Sequence, residues 1–97
     1  MFKKYKTKKY LNIIKGWMDI YHTAYKLKMK LCYDEIDNYY FVVVKDIQTY
    51  NSNIYLQLRK DIRKRLKNKF TIFFTFDSYC FKENILDIEN TKIIYEV

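Results

Sequence analysis

The stretch from Ser52 to Lys69, SNIYLQLRKDIRKRLKNK, decides the architecture. Ile54, Leu58, Ile62 and Leu66 recur at every fourth position with Tyr55 beside them, the apolar stripe of a helix that packs on a core. Arg59, Lys60, Arg63, Lys64 and Lys67 occupy the remaining surface, interrupted by Asp61. One edge of this helix therefore meets a core, and the other presents positive charge. On either side lie aromatic and β-branched runs, Tyr39 to Lys45 (YYFVVVK) and Phe70 to Phe76 (FTIFFTF), which read as buried strands. A strand, a helix and a strand at this spacing predict a parallel crossover within one sheet, right-handed by the general rule.

Upstream, Tyr10, Ile14, Trp17, Tyr21 and Ala24 follow the three-four spacing of a second amphipathic helix. Thr7 is its expected N-cap, which leaves residues 1–6 as a short basic arm. Gly16 inside that helix costs about 1 kcal/mol relative to Ala, and either admits a close neighbour or is simply exposed. From Tyr25 to Tyr33 the period becomes two, with Lys26, Lys28 and Lys30 on the outer face of a half-buried strand; a continued helix is the alternative. Asp34 to Asn38 reads as a turn between this strand and the next. Beyond Phe76, Ile85, Leu86 and Ile88 suggest a short helix, and Lys92 to Val97 a closing strand. The order α-β-β-α-β-(α)-β predicts an α+β fold, a single mixed sheet of about four strands with helices packed on it. The whole chain, 1–97, is expected to be one domain.

The chain is 49% apolar and 20% aromatic, the composition of a folded protein and not of a disordered tail. Without Pro and with one Gly, it contains nothing resembling an interdomain linker. The longest apolar run, Tyr39 to Val44, falls far short of the roughly 20 residues a membrane span needs. The start, MFKKYKTKKY, is basic like a signal peptide, but Asn12 and Lys15 break the apolar core that should follow. An intracellular protein of the host cytoplasm is expected. Cys32 and Cys80 have no metal-ligand spacing and lie among apolar residues, which favours buried reduced thiols over a disulfide.

Nineteen basic residues against eleven acidic ones give a net charge of +8, which favours polyanionic partners. Lys, Ile, Asn, Tyr and Phe are all abundant, as the codons of an AT-rich genome dictate, so the basic helix is a better signal than the total. Arg59, Arg63 and Arg65 are the only arginines, and all lie in it. The expected nucleic-acid contacts are Arg59, Lys60, Arg63, Lys64 and Lys67, helped by Lys26, Lys28 and Lys30 and by Lys3, Lys4, Lys6, Lys8 and Lys9 of the arm. Arg59, Arg63 and Lys67, four apart, form a row about 12 Å long. Because the apolar stripe is separate, replacing all three is expected to leave the fold intact. Few Asn or Gln lie on this helix, so binding should be largely independent of sequence. Tyr39, Tyr40 and Tyr50 near it offer surfaces on which bases could stack, though most tyrosines are expected in the core or sheet.

Asp34, Glu35 and Asp37 are the one dense acidic group. If extended, Glu35 and Asp37 project to the same side and could share a Mg²⁺; a solvated hairpin turn is the favoured reading. His22 has no nucleophile or orienting carboxylate beside it and suits the C-terminal end of a helix, where the dipole favours a cation.

Glu35-Ile36-Asp37 running into Tyr40-Phe41-Val42-Val43-Val44-Lys45-Asp46 resembles the minimal nucleotidyltransferase family, where an acidic pair opens a buried strand. The likeness continues through Leu58-Arg59-Lys60 and Phe70 to Phe76 to Ile85-Leu86-Asp87-Ile88-Glu89 and Lys92-Ile93-Ile94-Tyr95-Glu96, covering roughly residues 25–97. It implies that fold with a degenerate site. Leu31-Cys32-Tyr33 stands where that family has a Gly-Ser motif, and the third carboxylate would fall near Thr71. Two-metal phosphoryl transfer needs both.

These readings converge on a small, basic, non-enzymatic nucleic-acid-binding protein without a cofactor; its size and AT-rich composition suggest a virus or other mobile element. The alternative is a degenerate nucleotidyltransferase-like domain whose basic face meets an acidic protein, as an antitoxin or an inhibitor of host defence would. A surviving enzyme using Glu35 and Asp37 as metal ligands ranks third.

Overall fold

The computed structural model describes residues 2–82 and 90–97, with the backbone alone at 2–5, 79 and 82. In chain order the elements are α1 (Phe2–Tyr25), β1 (Lys30–Asp34), β2 (Tyr39–Val44), α2 (Ile47–Tyr50), α3 (Asn53–Leu66), β3 (Ile72–Phe76), α4 (Ser78–Lys82) and β4 (Thr91–Glu96). The strands form one mixed sheet in the order β3-β2-β1-β4. β1 is antiparallel to both β2 and β4, while β2 and β3, joined through α2 and α3, run parallel. This is the expected α+β architecture, with β2 central as its unbroken apolar run requires.

The α3 helix begins where the Ser52 hydroxyl accepts a hydrogen bond from the Tyr55 N–H at 3.2 Å. It ends at Lys67, in the left-handed region at φ 51°, and Asn68 at φ 62° completes the turn toward the sheet. Its buried side chains are Tyr55, Leu58, Ile62 and Leu66, whereas Ile54 is exposed. The helical period explains that correction. Twelve residues from Ile54 to Leu66 accumulate about 120° of drift, whereas Tyr55 lies within about 20° of Leu66. The core side chains of α3 meet Ile14, Met18 and Tyr21 of α1 and Leu31, Val42, Val44, Ile72 and Phe74 of the sheet. On the opposite sheet face Cys32, Phe41 and Val43 pack with Cys80 of α4.

Three local expectations change. α1 begins at Phe2, not after Thr7, because nothing in 2–9 breaks a helix and Lys favours one; the basic arm is helical. α1 ends at Tyr25, and Lys26 turns the chain at φ 58° with its N–H bonded to the His22 carbonyl at 2.8 Å. The strand therefore starts at Lys30, and Lys26 and Lys28 belong to the loop before it. The Asp46 carboxylate accepts from the Thr49 N–H at 2.8 Å and caps α2, an additional short helix. Ile85, Leu86 and Ile88 lie outside the described residues. Among those described, no helix is long and apolar enough to cross a membrane.

A side-chain carbon built on Gly16 meets nothing within 4 Å, so this glycine does not serve a close approach. Gly16→Ala is expected to raise stability by about 0.5–1 kcal/mol, the difference in helical preference. Leu58→Ala or Ile62→Ala should lower it by about 2–5 kcal/mol through cavity formation. Urea denaturation measures both.

Candidate nucleic-acid interface

α1 and α3 lie side by side in opposite directions. Tyr21 on α1 donates its phenolic hydrogen to Asp61 Oδ2 on α3 at 2.5 Å, while Tyr10 stacks on Phe70 just past the end of α3 with ring centres 5.4 Å apart. Burial, and then the bond to Asp61, push the Tyr21 phenol well above its usual range. The antiparallel arrangement brings the start of α1 to the end of α3. Exposed Lys6, Lys8 and Lys9 thus share one end of the molecule with exposed Lys67 and Lys69. Between these segments lies an open cleft of about 610 Å³ whose lining includes Thr7, Asn38, Tyr40, Lys69 and Phe70. Tyr33, Tyr40, Phe70 and Tyr10 form a continuous row of rings along that end, with neighbouring centres 4.6, 5.5 and 5.4 Å apart.

The sequence-predicted cations divide into two groups. Lys60 and Lys64 project from the outer face of α3 and Lys67 caps its end, all exposed and without an ion pair among the described residues. Lys26 and Lys28 are also exposed, in the loop after α1, and Lys3 and Lys4 belong to the first turn of α1. Arg59 and Arg63 are different. The Arg59 guanidinium lies 4.5 Å from the Tyr50 ring centre and 5.2 Å from that of Tyr55, and one of its nitrogens donates to the Tyr50 carbonyl at 3.2 Å. Arg63 covers the Phe74 ring at 4.9 Å. These planar cations shield aromatic core rings from solvent, so the row Arg59-Arg63-Lys67 cannot be replaced without touching the fold.

Lys30 is the clearest departure. Instead of facing solvent it is buried on the second face of the sheet, donating to the Cys80 carbonyl at 2.8 Å, with Glu96 at 3.6 Å and the Phe81 ring beneath it at 5.0 Å. β1 is covered on both faces, so its alternation does not separate solvent from core. Two exposed cations outside the predicted set, Arg65 and Lys69, join the surface; Lys69 follows the helix and is placed by the left-handed turn at Lys67 and Asn68.

The acidic group is organised as a turn. Asp34 Oδ1 accepts from the Ile36 and Asp37 N–H groups at 2.9 and 3.0 Å, and the chain reverses through Asn38 at φ 57°. Glu35 and Asp37 therefore do not share the side of a strand. Glu35 is paired instead with Lys92 of β4 at 2.6 Å, which raises the Lys92 pKa through hydrogen bonding and charge. Among the described residues no three His, Cys, Asp or Glu side chains converge to hold a metal ion. His22 Nδ1 donates to the Leu27 carbonyl at 2.9 Å and helps close the end of α1.

No family model matches the chain, and no curated protein or solved structure matches it.

Cys32 and Cys80 are both free and buried. Burial, with the Cys80 thiol next to it, pushes Cys32 up to about 12, and burial also raises Cys80. At pH 8 Cys32 should react with a disulfide reagent at least about a hundredfold more slowly in the native protein than in denaturant, since the thiolate is the nucleophile, and Cys80 should be slowed as well. Absorbance at the released thiolate's wavelength follows the reaction.

Proposed function

We propose that this chain is a small non-enzymatic protein that binds nucleic acid through its phosphates, largely without reading sequence. One observation carries the reading: two basic segments some sixty residues apart, Lys6 to Lys9 and Lys67 to Lys69, are exposed at the same end of the molecule beside the outer row of α3. The first turn of α1 contains no acidic residue, so its positive dipole end is reinforced by lysines. Such an arrangement is locally unfavourable until an anion neutralises it. Lys60 and Lys64 lie on one face of α3, with Lys67 at its C-cap, and offer charge without the planar, bidentate groups that discriminate bases. The aromatic row at the adjoining cleft provides a place for unpaired bases of either sugar type. The acidic turn supports the non-enzymatic part, since Glu35 is engaged by Lys92.

Fluorescence anisotropy with short single- and double-stranded oligonucleotides tests the proposal. Binding at about 50 mM salt is expected, falling steeply as salt rises. Substituting Lys60, Lys64 and Lys67 together by Glu should abolish it and leave the melting temperature within a few degrees of the wild type, because none of the three touches the core. For B-DNA, neutral substitutions at the same positions should reduce the salt slope by about 2.7, or 0.9 per lost contact. Arg59→Ala should instead lower the melting temperature. Absence of affinity for DNA and RNA at low salt rejects the reading; retention of an acidic protein partner against excess bulk nucleic acid would reassign the basic face to that partner.

If the acidic turn is only structural, millimolar Mg²⁺ or Mn²⁺ should not raise the melting temperature, and Glu35→Ala with Asp37→Ala should not change that outcome. A metal-dependent rise lost in the double variant would restore the case for an enzyme.

A further inference from the structure

The cleft between the start of α1 and the end of α3 combines an aromatic floor with polar walls. Tyr33, Tyr40 and Phe70 line it, half-buried, with neighbouring ring centres 4.6 and 5.5 Å apart. Its volume of about 610 Å³ lies within the roughly 300–1,000 Å³ of small-ligand sites. One wall is the segment after α3, where the left-handed residue Asn68 leads into Lys69 and Thr71, all three exposed. Exposed Lys6, Lys8 and Lys9 of α1 add charge beside this wall, and Lys67 stands next to it. Another wall is the β1–β2 turn, which contributes Asn38.

Two details of the walls give the cleft a direction. Among the described residues no carboxylate lines it, and the acids closest in sequence belong to the turn: Asp34 is buried and accepts the Ile36 and Asp37 N–H groups, while Asp37 is exposed one residue before Asn38. An anion is therefore favoured at Lys69 and disfavoured at the turn. At the turn, Asn38 Oδ1 accepts from the Tyr33 hydroxyl at 2.5 Å. That bond engages the carbonyl half of the amide and leaves its two N–H groups as donors.

We propose that this cleft holds one unpaired nucleotide, its base against the Tyr40 and Phe70 rings, its edge accepting from the Asn38 amide and its phosphate at Lys69. The protein then prefers single-stranded to double-stranded nucleic acid. This rests on the phosphate-binding reading and adds to it the form of nucleic acid that is bound.

The preference follows from what a strand exposes. In a duplex each base face is covered by its neighbours and each pairing edge by its partner, so neither a ring floor nor an amide in a cleft reaches them; in a single strand both are open. Every base carries an acceptor on an edge, so the Asn38 contact positions a base without selecting one. Phosphate contacts alone act in the opposite sense, because a duplex concentrates more charge along its axis and releases more counterions per contact, about 0.9 against 0.7. A preference for single strands is thus a signature of the cleft and not of the lysines.

The test uses the whole wild-type chain and anisotropy at about 50 mM salt with three labelled probes of matched phosphate number: an oligothymidylate, the same strand with abasic sites throughout, and a duplex. The oligothymidylate is expected to bind about five- to a hundredfold more tightly than the abasic strand, the effect of stacking one base, and more tightly than the duplex. A 2-aminopurine placed in the strand should lose fluorescence on binding as it stacks. Tyr40→Leu should remove the advantage over the abasic strand, and Tyr40→Phe, which keeps the ring, should retain it. Asn38→Gly, which suits a φ of 57°, should reduce it. The wild-type probes decide the matter even where Tyr40→Leu lowers the melting temperature. An oligothymidylate bound no more tightly than the abasic strand or the duplex overturns the inference and leaves phosphate binding standing. An advantage that survives Tyr40→Leu also overturns it, since the base is then held elsewhere. Failure to bind any of the three probes rejects both.

Discussion

The buried phenol of Tyr55 is the point on which the rest of the arrangement turns. Its hydroxyl donates to the Val42 carbonyl in the central strand at 3.0 Å, and its ring meets Phe74 of β3 edge-on with centres 6.0 Å apart. Its own N–H is held by the Ser52 cap, so the start of α3 and its contact with the sheet are set at a single residue. A buried hydroxyl without a partner costs about 1–3 kcal/mol, which makes other rotational settings of α3 unfavourable. With α3 placed, Leu58, Ile62 and Leu66 face the sheet and Lys60 and Lys64 face solvent.

The same setting determines which cations remain available to a ligand. Arg59 and Arg63 lie one turn and two turns beyond Tyr55, on the flank nearest β3, where exposed ring faces would otherwise meet water. Their guanidiniums are planar and weakly hydrated, so stacking costs little desolvation and covers aromatic area. The ammonium groups of Lys60 and Lys64 are compact and strongly hydrated, and they stay in solvent. Lys30 shows the opposite outcome for a lysine: a carbonyl, a carboxylate and a ring are all supplied by elements far away in the chain. Net charge thus overstates the charge on offer.

The strands and the α3 helix were legible because their patterns are local. Tyr39 to Val44 is apolar on both faces, and the alternation in FTIFFTF separates Ile72 and Phe74, which face the helices, from Phe73 and Thr75 on the other side. The strand reading at 25–33 held only from Lys30 onward, because the same lysine alternation arises at a helix end, in a loop and at the entrance of a doubly covered strand. Local patterning cannot separate these. Only a left-handed residue at Lys26 and a second layer of structure over Lys30 distinguish them. The Asp-Glu-x-Asp group is ambiguous for a similar reason: a turn and a metal site use the same carboxylates, and the difference lies in where Lys92, nearly sixty residues away, comes to rest.

By itself the sequence determined the class of fold, the order of the four strands and the two long helices, most of the apolar face of α3 and the burial of Cys32 and Cys80, because each follows from periodicity or composition within a short window. The tertiary structure alone decided the candidate interface. It placed the start of α1 beside the end of α3, withdrew Lys30 and Arg59 from the surface, and added Lys69. Each of these outcomes depends on contacts between residues distant in the chain, whose geometry is set by how helices and strands pack and not by the residues that flank them.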